Sequence, residues 1–177
     1  MEFEQRNDVT AEEYLEMIGL KTAVLLAASL KIGARLGGAS VEDAGRLYDF
    51  GMHVGVAFQL KDDLLDVYGN AKVFGKNIGG DILCNKKTYM LIKALEHANA
   101  DQHNQLNSWI NAETFQPAEK IAAVTELYDR IGVKAVCENK ILEYSNRAME
   151  SLAAVSIAEE KKEELKKIIE NLIHREV

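Results

Sequence analysis

The chain has 177 residues, 47% hydrophobic and 28% charged, with a single proline, Pro117; that is enough for one domain with a sizeable core, and long Ala/Leu/Glu/Lys stretches favour helix. The formal net charge of −7 argues against nucleic acid, whose phosphates attract a basic surface, and against an anionic membrane face. Met1-Glu2-Phe3-Glu4 is acidic where a signal peptide is basic, and the strongly apolar run from Ala23 to Leu30 is too short to cross a bilayer, so the expectation is a cytoplasmic protein without membrane insertion.

Thr10-Ala11-Glu12-Glu13 is a capping box, in which the Thr hydroxyl and the Glu side chain satisfy each other's orphan amides. It predicts a long first helix that ends near Gly37-Gly38, where glycine tolerates a left-handed cap. Ser40, with Glu42 and Asp43 behind it, opens a second helix running to about Val67. Gly69 to Gly80 holds four glycines and reads as a loop. A third helix is expected over Ile82 to Ala98 and a fourth over Asp101 to Ala112. Pro117 suits the first turn of a fifth, which stops near Gly132; a sixth follows to about Ala154. Ser156-Ile157-Ala158-Glu159 is a second capping box and opens the last helix. No segment alternates as a strand does, so the class is all-α, in one domain over residues 1–177.

The chemistry concentrates on the second helix. Gln59, Asp62, Asp63 and Asp66 fall within roughly a quarter turn of its circumference. Leu60 and Leu64 flank that stripe on one side; Phe50, Val54, Phe58 and Leu65 lie on the other. A helix apolar nearly all round is buried, and buried carboxylates repel one another unless a cation joins them. Oxygen ligands at i, i+1 and i+4 suit Mg²⁺. The same spacing occurs at the solvated acidic end of an amphipathic helix; the apolar surroundings favour the metal.

Other features are weaker. Gly75-Lys76 and Gly79-Gly80-Asp81 have neither the spacing nor the Ser/Thr of a nucleotide-binding loop, although a glycine-rich loop with a lysine can wrap a diphosphate. Lys21 stands in an apolar stripe with Tyr14, Met17, Ile18 and Leu25, and must reach water or meet an anion. Lys86-Lys87 sits near a predicted helix start, a place that favours anions. Cys84 and Cys137 lack a partner pattern and read as reduced, buried thiols, and the four histidines show no metal-ligand spacing. The Lys/Glu-rich run from Glu159 to Glu170 reads as a solvated helix face with i,i+4 pairs.

Phe58-Gln59-Leu60-Lys61-Asp62-Asp63-Leu64-Leu65-Asp66 resembles the second aspartate-rich motif of the trans-isoprenyl diphosphate synthases, the farnesyl, geranylgeranyl and longer polyprenyl diphosphate synthases. Gly75-Lys76-Asn77-Ile78-Gly79-Gly80-Asp81 and Asn85-Lys86-Lys87-Thr88-Tyr89 look like that family's next two blocks, and Tyr14 to Ile18 leading into Lys21-Thr22 looks like its Lys-Thr motif. The four blocks stand in the family's order over residues 1 to about 95, and the combination is specific where any one block is not.

The resemblance implies an isoprenoid-synthase helical bundle, N-terminally truncated, that condenses an allylic diphosphate with isopentenyl diphosphate after Mg²⁺ and lysines draw off diphosphate. It implies Asp62 as the direct Mg²⁺ ligand, with Asp63 and Asp66 completing the cluster partly through water. Lys21, Lys76 and Lys86 would contact diphosphate, Lys86 rather than Lys87 being the lysine that aligns once Thr88-Tyr89 are matched. Thr22 and Gln59 would line the pocket. The full-length family is usually a homodimer. Its first aspartate-rich motif, the arginines after it and the isopentenyl-diphosphate site lie upstream of Lys21-Thr22, and no such motif stands between Met1 and Thr22. This chain is therefore expected to be inactive alone. Asp62-Asp63-Leu64-Leu65-Asp66 lacks the Asn and Ser/Thr ligands of a terpene cyclase; a non-catalytic helical subunit is the other alternative.

Overall fold

The structure, a computed structural model, describes Arg6, residues 8–69 and residues 78–173. Among these residues it is all-α, without strands. The helices are α1 (Ala11–Ile18), a π-helical turn (Gly19–Ala23), α2 (Val24–Leu36), α3 (Val41–Tyr68), α4 (Gly80–Leu83), α5 (Tyr89–His97), α6 (Ala100–Ile110), α7 (Pro117–Ile131), α8 (Val133–Ala153), a 3₁₀ turn (Glu159–Lys161) and α9 (Glu163–Ile173). By its packing the chain forms two compact units. The first comprises residues Met1–Tyr14, Asp62–Glu138 and Glu176–Val177; the second comprises Leu15–Lys61 and Asn139–Arg175.

Local signals account for most helix ends. The Thr10 box forms: Glu13 N–H donates to Thr10 Oγ1 at 3.2 Å and Thr10 N–H to Glu13 Oε2 at 2.9 Å. Ser40 Oγ accepts from Asp43 N–H at 3.0 Å at the head of α3. Gly132 closes α7 at φ 85°, a left-handed position that glycine adopts without steric cost.

Two expected boundaries change. The single helix over Ile82 to Ala98 is broken into α4 and α5 because Asn85 takes φ 50° and Thr88 re-caps the chain, its hydroxyl accepting from Leu91 N–H at 3.3 Å. The Ser156 box does not form. Ser156 N–H donates instead to Asp43 Oδ1 at 2.9 Å, and α9 starts only at Glu163 after the 3₁₀ turn.

In the first unit α7 is the hub, packing against α4, α5 and α6. Its buried Val124, Leu127 and Tyr128 join Leu106, Met90 and Ile82 in the core. Cys84, expected to be buried, is exposed on the turn after α4, whereas Cys137 is buried.

In the second unit two backbones meet closely. A Cβ on Gly55 would lie 2.5 Å from Ala23 Cα, and one on Gly51 would lie 2.6 Å from Ala27 Cα. Small residues on both sides thus seat α3 against the π-turn and α2. The Glu159–Glu170 run is only partly solvated. Lys162 is 2% exposed, donating to the Ala153 carbonyl at 2.9 Å and to Glu159 at 2.7 Å, and the ion pairs Lys162–Glu159, Lys166–Glu163 and Lys167–Glu164 are spaced i,i+3.

Leu20, Leu25, Ile32, Leu36 and Val41 of this unit are each at least 60% exposed. Taken as one stretch of 26 residues, Ala11–Leu36 is long and apolar enough to cross a membrane by length and composition alone. The expectation drawn from Ala23 to Leu30 counted only the strongly apolar run within this stretch, and by length and composition the whole stretch is longer than that. Core helices of soluble proteins meet the same criterion.

Gly55→Ala is expected to lower stability by about 1–3 kcal/mol, because a methyl forced into backbone contact overpacks the site. Gly45→Ala, in the same helix with nothing within 4 Å of a new Cβ, should be neutral or stabilising by up to about 1 kcal/mol. Urea midpoints of the two variants check the contrast.

Candidate active site

α3 carries Asp63 into the first unit's interior, where it is 5% exposed. Its two oxygens have different partners. Oδ2 accepts a hydrogen bond from the Tyr14 hydroxyl. Oδ1 accepts from Lys86 Nζ at 3.1 Å, and the same ammonium donates to Asp81 Oδ2 at 2.8 Å. One turn further along α3, Asp66 Oδ2 accepts from Asp81 N–H at 2.9 Å. The Asp66 carbonyl accepts from Gly79 N–H at 2.6 Å. Gly79 sits at φ 85° with Ile121 against it, so a side chain there would meet both backbone strain and a clash. The returning chain at residues 79–81 is thereby fastened to the end of α3 that bears the carboxylates.

The electrostatics follow from burial. Burial pushes the Asp63 carboxyl up to about 6, against the opposing pull of Lys86 and the hydrogen bond from Tyr14. Asp66, half-buried, is also raised, first by burial. Burial by itself would lower the Lys86 ammonium, but Asp63 and Asp81 together outweigh it and hold the group above the ordinary lysine range. Burial and then the Asp63 charge keep the Tyr14 hydroxyl protonated.

Asp63, Asp81 and Lys86 line a cavity of about 20 Å³ with Asn85, Trp109 and Lys120, room for about one water. Asp62 and Asp66 are half-buried on the same helix and do not line it. Among the described residues no three His, Cys, Asp or Glu side chains are gathered so as to hold a metal by themselves. The donors are nevertheless all hard oxygens, and Mg²⁺ binds through one or two carboxylates plus waters and phosphate oxygens. By its chemistry the donor set fits Mg²⁺ as a partial ligand shell.

The remaining expected residues lie elsewhere or outside view. Lys21 is exposed and Thr22 half-buried on the π-turn, where Val24 N–H reaches back five residues to the Gly19 carbonyl; π-turns are frequent at functional sites. Thr22 opens onto an apolar hollow of about 610 Å³ within the second unit, together with Leu26, Val54, Gly55, Phe58 and Ile168. Gln59 is half-buried in that unit. Lys76 falls outside the described residues. Lys86 is brought directly onto carboxylates rather than across a gap from them.

The polyprenyl synthetase family model matches residues 1–128. The chain belongs to the polyprenyl synthetase family. It is 37% identical to a short chain isoprenyl diphosphate synthase of Methanothermobacter thermautotrophicus over 99% of this chain and 53% of the relative. A crystal structure of geranylgeranyl pyrophosphate synthase superposes with a TM-score of 0.91 at 36% identity, covering 99% of this chain and 55% of that one. The geranylgeranyl pyrophosphate synthase of Corynebacterium glutamicum complexed with isoprenyl diphosphate and magnesium gives a TM-score of 0.87 at 28% identity, covering 98% of this chain and 49% of that one. The chain thus spans about half the length of the curated relatives it matches.

Two residues of this cluster make contacts that the sequence reading does not assign. Tyr14 was read as part of an apolar stripe, and its partner is 49 positions away. Asp81 was read as part of a glycine-rich block; its position immediately after Gly79-Gly80 was the available signal.

The raised Asp63 value has a testable sign. Its contribution to stability is fully present below about pH 4 and is lost as pH rises through about 6, because the folded state holds the proton more tightly than the unfolded chain does. Asp63→Asn should abolish that loss. The stability difference between variant and wild type should therefore shift in the variant's favour by on the order of 2 kcal/mol between pH 4 and pH 7.5, measured by urea unfolding at both values.

Proposed function

We propose that residues 1–177 act as one domain, the second-aspartate-motif part of a cytoplasmic, Mg²⁺-dependent prenyltransferase. The full-length enzyme would work as a homodimer and condense an allylic diphosphate with isopentenyl diphosphate. The observation that carries this reading is Lys86 seated on Asp63 and Asp81 at the carboxylate end of a buried helix. An ammonium held among carboxylates is a cation ready to be handed to a phosphate that arrives with its own metal. The relative complexed with isoprenyl diphosphate and magnesium supports the same chemistry.

In this reading Asp62 and Asp66, with Asp63, hold Mg²⁺, which supplies the charge that makes diphosphate a competent leaving group. Lys86 and Lys76 bind phosphate oxygens, and Lys21 adds a third ammonium. Thr22 and Gln59 line the reacting end. The apolar hollow beside Thr22 in the second unit has a lining that suits a hydrocarbon chain.

The 177-residue chain alone should form no prenyl product from isopentenyl and dimethylallyl diphosphates in a radiolabel assay. The upstream carboxylates and the isopentenyl site are both needed, and orientation alone is worth roughly 7–11 kcal/mol of barrier. Mg²⁺ and inorganic diphosphate together should raise the melting temperature more than either alone, by the equivalent of about 1–2 kcal/mol at ten to thirty times Kd, and Lys86→Ala should remove most of that rise. Absence of any rise at millimolar ligand would refute the half-site. Robust product would show that the active site begins elsewhere.

A further inference from the structure

The turn that presents Lys86 is held by an unusual pair. Asn85, immediately before it, is the non-glycine residue with positive φ among those described, at 50°. Its amide is gripped at both ends: Nδ2 donates to the Ile110 carbonyl at 2.9 Å, and Oδ1 accepts from Lys120 Nζ at 2.7 Å. A carbonyl can only accept and an ammonium can only donate, so these partners admit one orientation of the amide.

Lys120 itself is 1% exposed. Its ammonium lies 4.3 Å from the centre of the Phe115 ring, and its hydrogen-bond acceptor among the described residues is the Asn85 amide oxygen rather than a carboxylate. A lysine is seldom buried without an acid, because desolvation of its charge is costly. Here the charge is spent on a neutral amide, and that amide belongs to the residue whose backbone aims Lys86.

We propose that Asn85 and Lys120 are positioning residues for Lys86: the Lys120 ammonium and the Ile110 carbonyl clamp the Asn85 side chain, and the clamp fixes the turn that delivers Lys86 to Asp63 and Asp81. Lys86 is 43% exposed at its side chain, and an exposed lysine holds one geometry poorly by ion pairing alone. Its backbone is anchored instead, Lys86 N–H donating to the Asp81 carbonyl at 3.0 Å and Thr88 N–H to the Lys86 carbonyl at 2.7 Å, in a turn that the clamp ties to α6 and α7. The role in ligand binding rests on the proposed diphosphate site; the role in placing Lys86 does not.

Asn85→Gly separates the clamp from the backbone, since glycine accepts positive φ but offers neither contact. Lys120→Met removes the ammonium at similar volume. Titration calorimetry with Mg²⁺ and inorganic diphosphate should show both variants at least fivefold weaker than wild type, approaching Lys86→Ala, while Asn85→Gly keeps a cooperative melt. In ¹H–¹⁵N spectra of the lysine ammonium groups, the Lys86 signal, assigned by its loss in Lys86→Arg, should broaden or vanish in Asn85→Gly. Wild-type affinity together with an intact Lys86 signal in Asn85→Gly would overturn the proposal. If wild type binds no diphosphate, the functional reading fails and the ammonium signal alone decides the clamp: its loss in Asn85→Gly supports it and its retention refutes it.

Discussion

Burying the carboxylate of Asp63 is the constraint around which the first unit is organised. An isolated ionised carboxylate away from water is heavily penalised, and helix α3 is apolar enough to impose that penalty. Tyr14 and Lys86 supply the compensation, one from each side of the group in sequence, 49 and 23 positions away. The chain after α3 must therefore come back, and it does so by hydrogen bonding to Asp66 and seating Gly79 against Ile121 of α7. Compensation is incomplete, since burial still outweighs the partners and holds the Asp63 proton on to about pH 6. A further cation near this group would be stabilising, and that is the property expected of a metal-dependent anion site.

The second unit answers a different constraint, close approach of two backbones. Glycine and alanine at Gly51, Gly55, Ala23 and Ala27 remove side-chain volume where α3 meets the π-turn and α2. One extra residue in that turn shifts the helix face at Lys21 and Thr22, leaving Lys21 in solvent and Thr22 at the apolar hollow. Small residues and a π-turn together make a display surface from an otherwise ordinary helix pair.

What was legible in the sequence was what depends on neighbouring residues. Caps such as Thr10 and Ser40, the left-handed glycine after the first long helix and the stop at Gly132 work through contacts three to five residues away, and the sequence marks them. The break at Asn85 was not read, because an asparagine carries no breaker signal as strong as glycine or proline, and what holds it left-handed lies on α6 and α7. The Ser156 box was lost to Asp43, 113 positions away. Buried Lys120 and Lys162 escaped notice because lysine is read as a surface residue until its partners are seen. The carboxylate cluster was legible as a helical arc, but its division of labour was not: Asp63 turns inward to Tyr14 and Lys86, while Asp62 and Asp66 stay half-buried outside that cavity.

That division bears on how a half-site of this kind would take its ligand. Asp63 and Asp81 share one ammonium, so Lys86 cannot serve a phosphate fully while it neutralises both acids. On the proposed reading Lys86 turns toward the phosphate only as far as the carboxylates it leaves find another positive charge. Diphosphate alone offers them further repulsion, and a divalent ion alone competes with an ammonium already seated at 2.8–3.1 Å. On that reading a metal and diphosphate together would remove both objections: the metal would supply the positive charge that Asp63 and Asp81 lose, and the phosphate would gain Lys86. Coupling of the two ligands would then follow from charge counting at Asp63, Asp81 and Lys86, with no movement of the helices that carry them.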